Sequence, residues 1–351
     1  MFERPTTFVI GAGASCELGL PSGDALKSEI CKLLGSEAGD RKIATSFIDE
    51  INSRDRRMGI HPADGREERS RLASQIRTGL PLAPSIDNFL YSRGNDEKLV
   101  EFGKGAIAYR ILEAERRSLF FPTHINSRLS GDRPRSVSLD NPKIRDTWYY
   151  PLVQHLFAQT TLQDVKGHLE KIRFIIFNYD RCLEQFLLLA LRGHFGVDEN
   201  TAADILEAVE FVHPYGSLGP LPWQSQGGHL QFAAQANDRL DVFEIGQSLR
   251  TFTESTSSDA VSKIHDAMGL SETLCFLGFG FLRQNLDLLR TPNSLATNIF
   301  STAYGISAVE YQNLKQTLSM FRKKHYTADA KIEPGTCSDF FGNYRITLAG
   351  L

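Results

Sequence analysis

Three polar residues stand directly behind short apolar runs: Asn178 and Asp180 in "IIFNYDRCLE", and His213 in "VEFVHPYGSLG". The carboxyl ends of strands are where open α/β sheets hold their ligands. An amide and a carboxylate two residues apart could orient a polar ligand in such a mouth. Asp180 suits equally well the N-cap of the helix that follows it. Of the nine histidines, His213 is the one that ends an apolar run beside a Gly-Ser turn. Imidazole titrates in the range that general-base work needs near neutral pH.

Small-residue turns follow other apolar runs. In "FVIGAGASCELGLPSG" the run breaks into Gly11, Ala12, Gly13 and Ala14, and Ser15 adds a hydroxyl. A glycine turn between a strand and a helix permits close backbone approach to a phosphate, beside the unpaired N–H groups of the helix start. It is equally a tight structural turn. The dinucleotide fingerprint G-x-G-x-x-G would need glycine where Cys16 stands, and no second strand ending in an acid follows about twenty residues later, so ordinary hydride transfer is disfavoured. No Gly-Lys-Ser/Thr follows either, which excludes P-loop chemistry. Gly278 and Gly280 bracket Phe279 after another apolar run, and Ser301 and Thr302 offer hydroxyls in "FSTAYG".

Positioning such residues requires a sheet. Apolar β-rich runs at Thr7–Gly11, Arg173–Asn178, Val209–His213, Thr273–Phe279 and Asn298–Tyr304 alternate with helical patterns, and "YRITLAG" near the end reads as a last strand. Continuous apolar runs suit strands buried on both faces. The fold class expected is α/β, a Rossmann-like doubly wound parallel sheet with a mostly helical insertion. Residues 1–35 and 172–351 would form the Rossmann-like domain, and 36–171 the insertion. Within the insertion, Glu97–Leu119 has helical composition and Pro122–Asp146 reads as a long loop.

A net charge of −3 gives no basic field that would call for nucleic acid or a membrane surface. No apolar stretch approaches the roughly 18 residues of a membrane span, and the start lacks a signal-peptide pattern. The five cysteines are scattered without a C-x-x-C pair, which argues against disulfides and a zinc site and for a cytoplasmic protein. Arg54, Arg56, Arg57, Arg66, Arg69 and Arg71 could face DNA, but Asp55, Asp64, Glu67 and Glu68 are interleaved with them, which favours a solvated helix face.

Taken together, these segments resemble the sirtuin-like (silent information regulator) domains, and specifically their bacterial antiphage-defence branch. "GAGAS…GLPSG" is similar to that family's G-A-G-x-S…G-[IL]-P segment and "FNYD" to its Asn-x-Asp motif. "VHPYGSLG" resembles its His-Gly-Ser segment with Pro214 and Tyr215 inserted, "GFGF" with Asn285 its late glycine motif, and "PSIDNFL" (Pro84–Leu90) part of its helical insertion. The resemblance implies an NAD site, with NAD as substrate and no metal. Asn178 would orient the ribose or a water and His213 would act as base. Asp180 would contact the nicotinamide amide, and Gly11, Ala12, Gly13, Ala14 and Ser15, with Gly278, Gly280, Ser301 and Thr302, would line the rest of the ligand's path.

The family's deacylases carry two C-x-x-C pairs that this chain lacks, so the resemblance implies water attack and an NAD glycohydrolase that depletes NAD after phage infection. Control by homo-oligomerisation or by a HerA-type ATPase partner is the matching expectation. A pocket that senses NAD or ADP-ribose without turnover, and a zinc-free protein deacylase, are the alternatives.

Overall fold

The computed structural model describes residues 3–35, 41–59, 61, 65–121, 137–224, 229–234, 240–251, 254 and 258–348. Six strands form one sheet: β1 (Thr6–Ile10), β2 (Ile172–Ile176), β3 (Glu210–Val212), β4 (Thr273–Leu277), β5 (Asn298–Thr302) and β6 (Lys331–Glu333). Their order is β3-β2-β1-β4-β5-β6, and every neighbouring pair is parallel. Every residue of β1 is buried, and its apolar Phe8, Val9 and Ile10 suit a central parallel strand covered on both faces.

Side chains alternate across the sheet with the period of two. Phe8, Ile10, Phe174, Ile176, Cys275, Leu277 and Phe300 share one core, which the Tyr149–Phe157, Cys182–Phe195 and Cys337–Asn343 helices cover. The Phe8 and Phe174 rings stack across β1 and β2 with centroids 5.2 Å apart. Val9, Ile175, Leu274, Phe276 and Ile299 point the other way, toward the Ser258–Leu270 and Ala308–Ser319 helices. Burying each of these large side chains contributes about 1.5–3 kcal/mol, so the two-sided pattern fixes the layers. The fold is the expected doubly wound α/β sheet with helices on both faces.

Among the described residues, no strand lies between Ile10 and Ile172. The helices there divide between two cores. Those at Tyr149–Phe157 and Val165–Leu169 belong to the sheet's own core. The earlier ones, Arg41–Arg57, Arg66–Gly79, Ile86–Ser92 and Glu97–Arg117, share a separate core with Tyr179, Tyr215 and Leu218 from the loops beyond β2 and β3. Glu97–Arg117 is capped by Asp96, whose side chain accepts from the Leu99 N–H at 3.1 Å. Buried residues all round it, including Phe102, Ile107, Leu112 and Glu115, make it the central helix of this layer. The helical layer therefore sits against the carboxyl end of the sheet.

Two expectations change. "YRITLAG" is not a strand: Arg345–Leu348 is helical, and residues 349–351 lie outside the described residues. Phe340, Phe341, Tyr344 and Leu348 recur at three- and four-residue spacing and join one core, a helical period that the short segment alone does not reveal. The sixth strand is Lys331–Glu333, an edge strand with a single apolar residue and thus no apolar run to read. Of the loop expected over Pro122–Asp146, residues 122–136 lie outside the described residues. Its end forms a 3-10 turn, Pro142–Asp146, capped by Asn141.

Candidate functional site

Strand order reverses beside β1, since the chain first winds outward through β2 and β3 and then returns to β4 on the other side. Ligands of doubly wound sheets lie in the crevice that such a reversal leaves at the carboxyl ends. The glycine turns after β1 and β4 meet here. The N–H of Gly11 donates to the Leu277 carbonyl at 2.9 Å and that of Gly13 to the Gly278 carbonyl at 3.0 Å. A Cβ on Gly11 would stand 2.4 Å from the Gly278 oxygen, and one on Gly278, whose φ is +57°, 2.0 Å from the Ala14 nitrogen. These glycines let two turns touch. A Cβ on Gly280, by contrast, would meet nothing within 4 Å.

The hydroxyls expected beside them are engaged within the protein. Thr302 Oγ1 accepts from the Gly278 N–H at 2.8 Å, and the buried Ser301 hydroxyl donates to the Thr302 carbonyl at 2.9 Å. Ala14 is fixed from outside, because the Trp148 indole N–H donates to its carbonyl at 2.8 Å.

The polar side chains gather one strand over. Ser15 is buried; its hydroxyl accepts from Asn178 Nδ2 at 2.8 Å and donates to Asp180 Oδ2 at 3.0 Å. Asp180 Oδ1 accepts from the Cys182 N–H at 3.2 Å, so the carboxylate both steadies the start of the Cys182–Phe195 helix and joins the cluster. Burial pushes the Asp180 carboxyl up to about 6, an effect that the nearby Glu115 carboxylate reinforces. Asn178 Oδ1, although buried, has no hydrogen-bond partner among the described residues.

His213 completes the group. Its Nδ1 lies 3.1 Å from the Asn178 carbonyl and its Nε2 2.6 Å from Glu184 Oε1. Burial alone would lower its titration point, but the Glu184 carboxylate and the bond to Asn178 outweigh it and hold the imidazole above its ordinary value. Glu184 Oε2 is a second buried oxygen here without a partner among the described residues.

Residues that the sequence reading passed over hold this mouth together. Arg181 and Glu115 form a buried ion pair at 2.8 Å that ties the loop after β2 to the Glu97–Arg117 helix. Arg181 also donates to the Leu230 carbonyl at 2.7 Å, and Glu115 accepts from the Ala233 N–H at 2.9 Å. Within "PSIDNFL", Asp87 accepts a hydrogen bond from the Tyr179 hydroxyl, and burial raises its carboxyl to about 6. Asn88 donates to Gln284 Oε1 at 3.3 Å, while the inserted Tyr215 donates to Asn285 Oδ1 at 2.7 Å. Segments far apart in the chain thus converge on one wall.

Of the arginines that could face DNA, Arg54 pairs with Glu101, Arg57 with Asp241, Arg69 with Asp55 and Arg71 with Glu68. Such pairing offsets the charge of four of the six arginines. Among the described residues, no group of His, Cys, Asp and Glu has the arrangement of a metal site, and no helix is long and apolar enough to cross a membrane. No protein-family model matches the chain, and no curated protein matches it.

Proposed function

We propose that the chain is an NAD glycohydrolase that cleaves the bond between nicotinamide and ribose. The observation that carries this reading is the buried cluster of Ser15, Asn178, Asp180 and His213 at the strand ends beside the topological reversal, with Asn178 Oδ1 unpartnered inside it. A buried acceptor without a donor is costly by about 1–3 kcal/mol, and a ligand hydroxyl or amide N–H would satisfy it. In this reading Asn178 takes a ribose hydroxyl, Asp180 faces the carboxamide, and His213 receives the proton of the attacking water. Rupture of the glycosidic bond builds positive charge on the ribose while the nicotinamide leaves neutral. Polar groups aimed at the sugar therefore assist more than a strong acid would.

Unrestrained, such an activity would exhaust a cell's NAD, so control by self-assembly or by a HerA-type ATPase belongs to the same proposal, with antiphage defence as its setting. A sensor that binds NAD without cleaving it is favoured by one specific feature: both ring nitrogens of His213 are already engaged. Chromatography of NAD incubated with the wild type, Asn178→Ala and His213→Ala, each alone and with the ATPase, separates the two. Hydrolysis gives nicotinamide and ADP-ribose from the wild type and about 100-fold less from either variant. Intact NAD that is nonetheless bound by the wild type would favour the sensor.

A further inference from the structure

Ser15 has one hydrogen to give, and two side chains meet its hydroxyl. Asn178 Nδ2 lies 2.8 Å from it and Asp180 Oδ2 3.0 Å, and among the described residues these are its side-chain partners. With Asp180 ionised, the hydrogen goes to the carboxylate, and the hydroxyl can only accept from Asn178. That turns Nδ2 toward Ser15 and leaves Asn178 Oδ1 open for a ligand. The oxygen and nitrogen of a primary amide fill the same places, so the bond at Ser15 decides which way the side chain sits.

A proton on Asp180 reverses the order. Oδ1 of the carboxyl already accepts from the Cys182 N–H at 3.2 Å, so the proton sits on Oδ2 and is donated to Ser15. Left as it was, Asn178 would then keep Oδ1 unmatched beside a Ser15 hydrogen that has no acceptor. Turning the amide over joins the two and leaves Nδ2 facing outward.

We infer that Ser15 is a positioning residue that relays the protonation state of Asp180 to the Asn178 amide, so that the site offers an acceptor while Asp180 is ionised and a donor once it is protonated. The inference rests on the NAD glycohydrolase reading for its place in the reaction, but not for the relay itself. A ribose hydroxyl can bond in either sense. Giving its hydrogen to Asn178 Oδ1 makes its oxygen richer in electrons and steadies the positive charge that grows on the ribose. Accepting from Nδ2 does the opposite. The ionised state of Asp180 is therefore the one that favours rupture of the glycosidic bond.

Burial, reinforced by the Glu115 carboxylate, raises the Asp180 carboxyl to about 6. The acceptor state prevails above that pH and is lost as pH falls through it. Other groups face Asp180. The Cys16 and Cys182 thiols and the Tyr149 hydroxyl are themselves raised by burial and stay neutral through this range. Glu115 is paired with Arg181. His213, bonded to Glu184, meets Asn178 at its backbone carbonyl and not at its amide.

The test follows the side-chain amide signal of Asn178 by NMR in the full chain without ligand, identified by its loss in Asn178→Ala. In the wild type it should titrate with a midpoint of about 6. Ser15→Ala should remove most of that transition. In Asp180→Asn the Cys182 N–H holds the new amide's oxygen and leaves its nitrogen to donate to Ser15, so the Asn178 signal should stay in its acid form at every pH. This variant serves if Ser15→Ala does not fold. With NAD, kcat of the wild type should fall about tenfold per pH unit below about pH 6 while KM changes little, and Ser15→Ala should flatten that fall. A wild-type Asn178 signal that does not titrate would overturn the inference. So would a transition, or a fall of kcat, kept in full by a folded Ser15→Ala. NAD left intact by a wild type whose Asn178 signal behaves as stated would instead remove the hydrolase reading and leave the relay standing.

Discussion

Two regions of this mouth use polar groups in opposite ways. Around β1 and β4, the glycine turns satisfy one another: the Gly13 N–H bonds to the Gly278 carbonyl, the Gly278 N–H to Thr302, and Ser301 to the Thr302 carbonyl. Around β2 and β3, side chains carry the network, and two buried oxygens, Asn178 Oδ1 and Glu184 Oε2, have no partner among the described residues. The first region is a joint, made by removing side chains so that backbone meets backbone. The second keeps unused hydrogen-bonding capacity, which a closed structural joint would not retain. Glycine-rich turns draw the eye in a sequence, yet here the capacity for chemistry lies one strand away.

The sharpest way to break the contrast is to put a side chain into the joint. Gly278→Ala would force a Cβ against the Ala14 nitrogen at a positive φ. It should lose about 4 kcal/mol or more in urea denaturation, or fail to fold. Gly280→Ala, two residues on, meets open space and should change stability by less than about 0.5 kcal/mol. Equal losses at the two positions would mean that the joint is not where the constraint lies.

The side-chain region should respond through its ion pair. Glu115→Gln leaves the Arg181 guanidinium buried without its counter-charge, and should destabilise by about 3 kcal/mol. Adding Arg181→Met should recover much of that loss, because the uncompensated charge is then gone. A double variant no more stable than the single one would argue that packing, not charge, dominates there.

A smaller effect should appear at the wall made by "PSIDNFL". The Asp87 carboxyl is raised by burial from 3.8 to about 6. The folded chain therefore holds that proton to higher pH than the unfolded one, and stability falls as pH rises from about 4 to about 6. Asp87→Asn keeps an oxygen for the Tyr179 hydroxyl and removes the titration. It should gain about 1–2 kcal/mol over the wild type at about pH 8, and the gain should shrink toward zero at about pH 4. A gain independent of pH would point to packing instead.

Much of this was legible in the sequence, for identifiable reasons. β1, β2 and β4 declare themselves because strands buried on both faces are mostly apolar, as Phe8–Ile10, Phe174–Ile176 and Leu274–Leu277 are. Asn178 and His213 stand out because each directly follows an apolar run, and Asp180 because it lies two residues beyond Asn178. β6 does not, since an edge strand of Lys331, Ile332 and Glu333 needs only one buried apolar residue. Glu184 was hidden because it sits among apolar residues on a helix, where an acid reads as an interruption of the pattern. Glu115 was hidden because it stands between Glu113 and Arg116 in a charged helix end that reads as solvated. For Glu184 the available signal was its setting, since an acid next to Leu183 and two residues before Phe186 on an apolar helix face needs a partner. The partners themselves, His213 and Arg181, lie 29 and 66 residues away, and only folding brings them together.

The most direct test of the central claim, that the side-chain mouth takes the ligand's sugar, is calorimetric binding of NAD. Wild type, Asn178→Ala and Gly280→Ala should be compared. Saturable binding to the wild type and to Gly280→Ala, weakened about tenfold or more in Asn178→Ala, is the result expected if Asn178 Oδ1 receives a ribose hydroxyl. NAD binding that is unaffected in Asn178→Ala, or absent from the wild type, would contradict it.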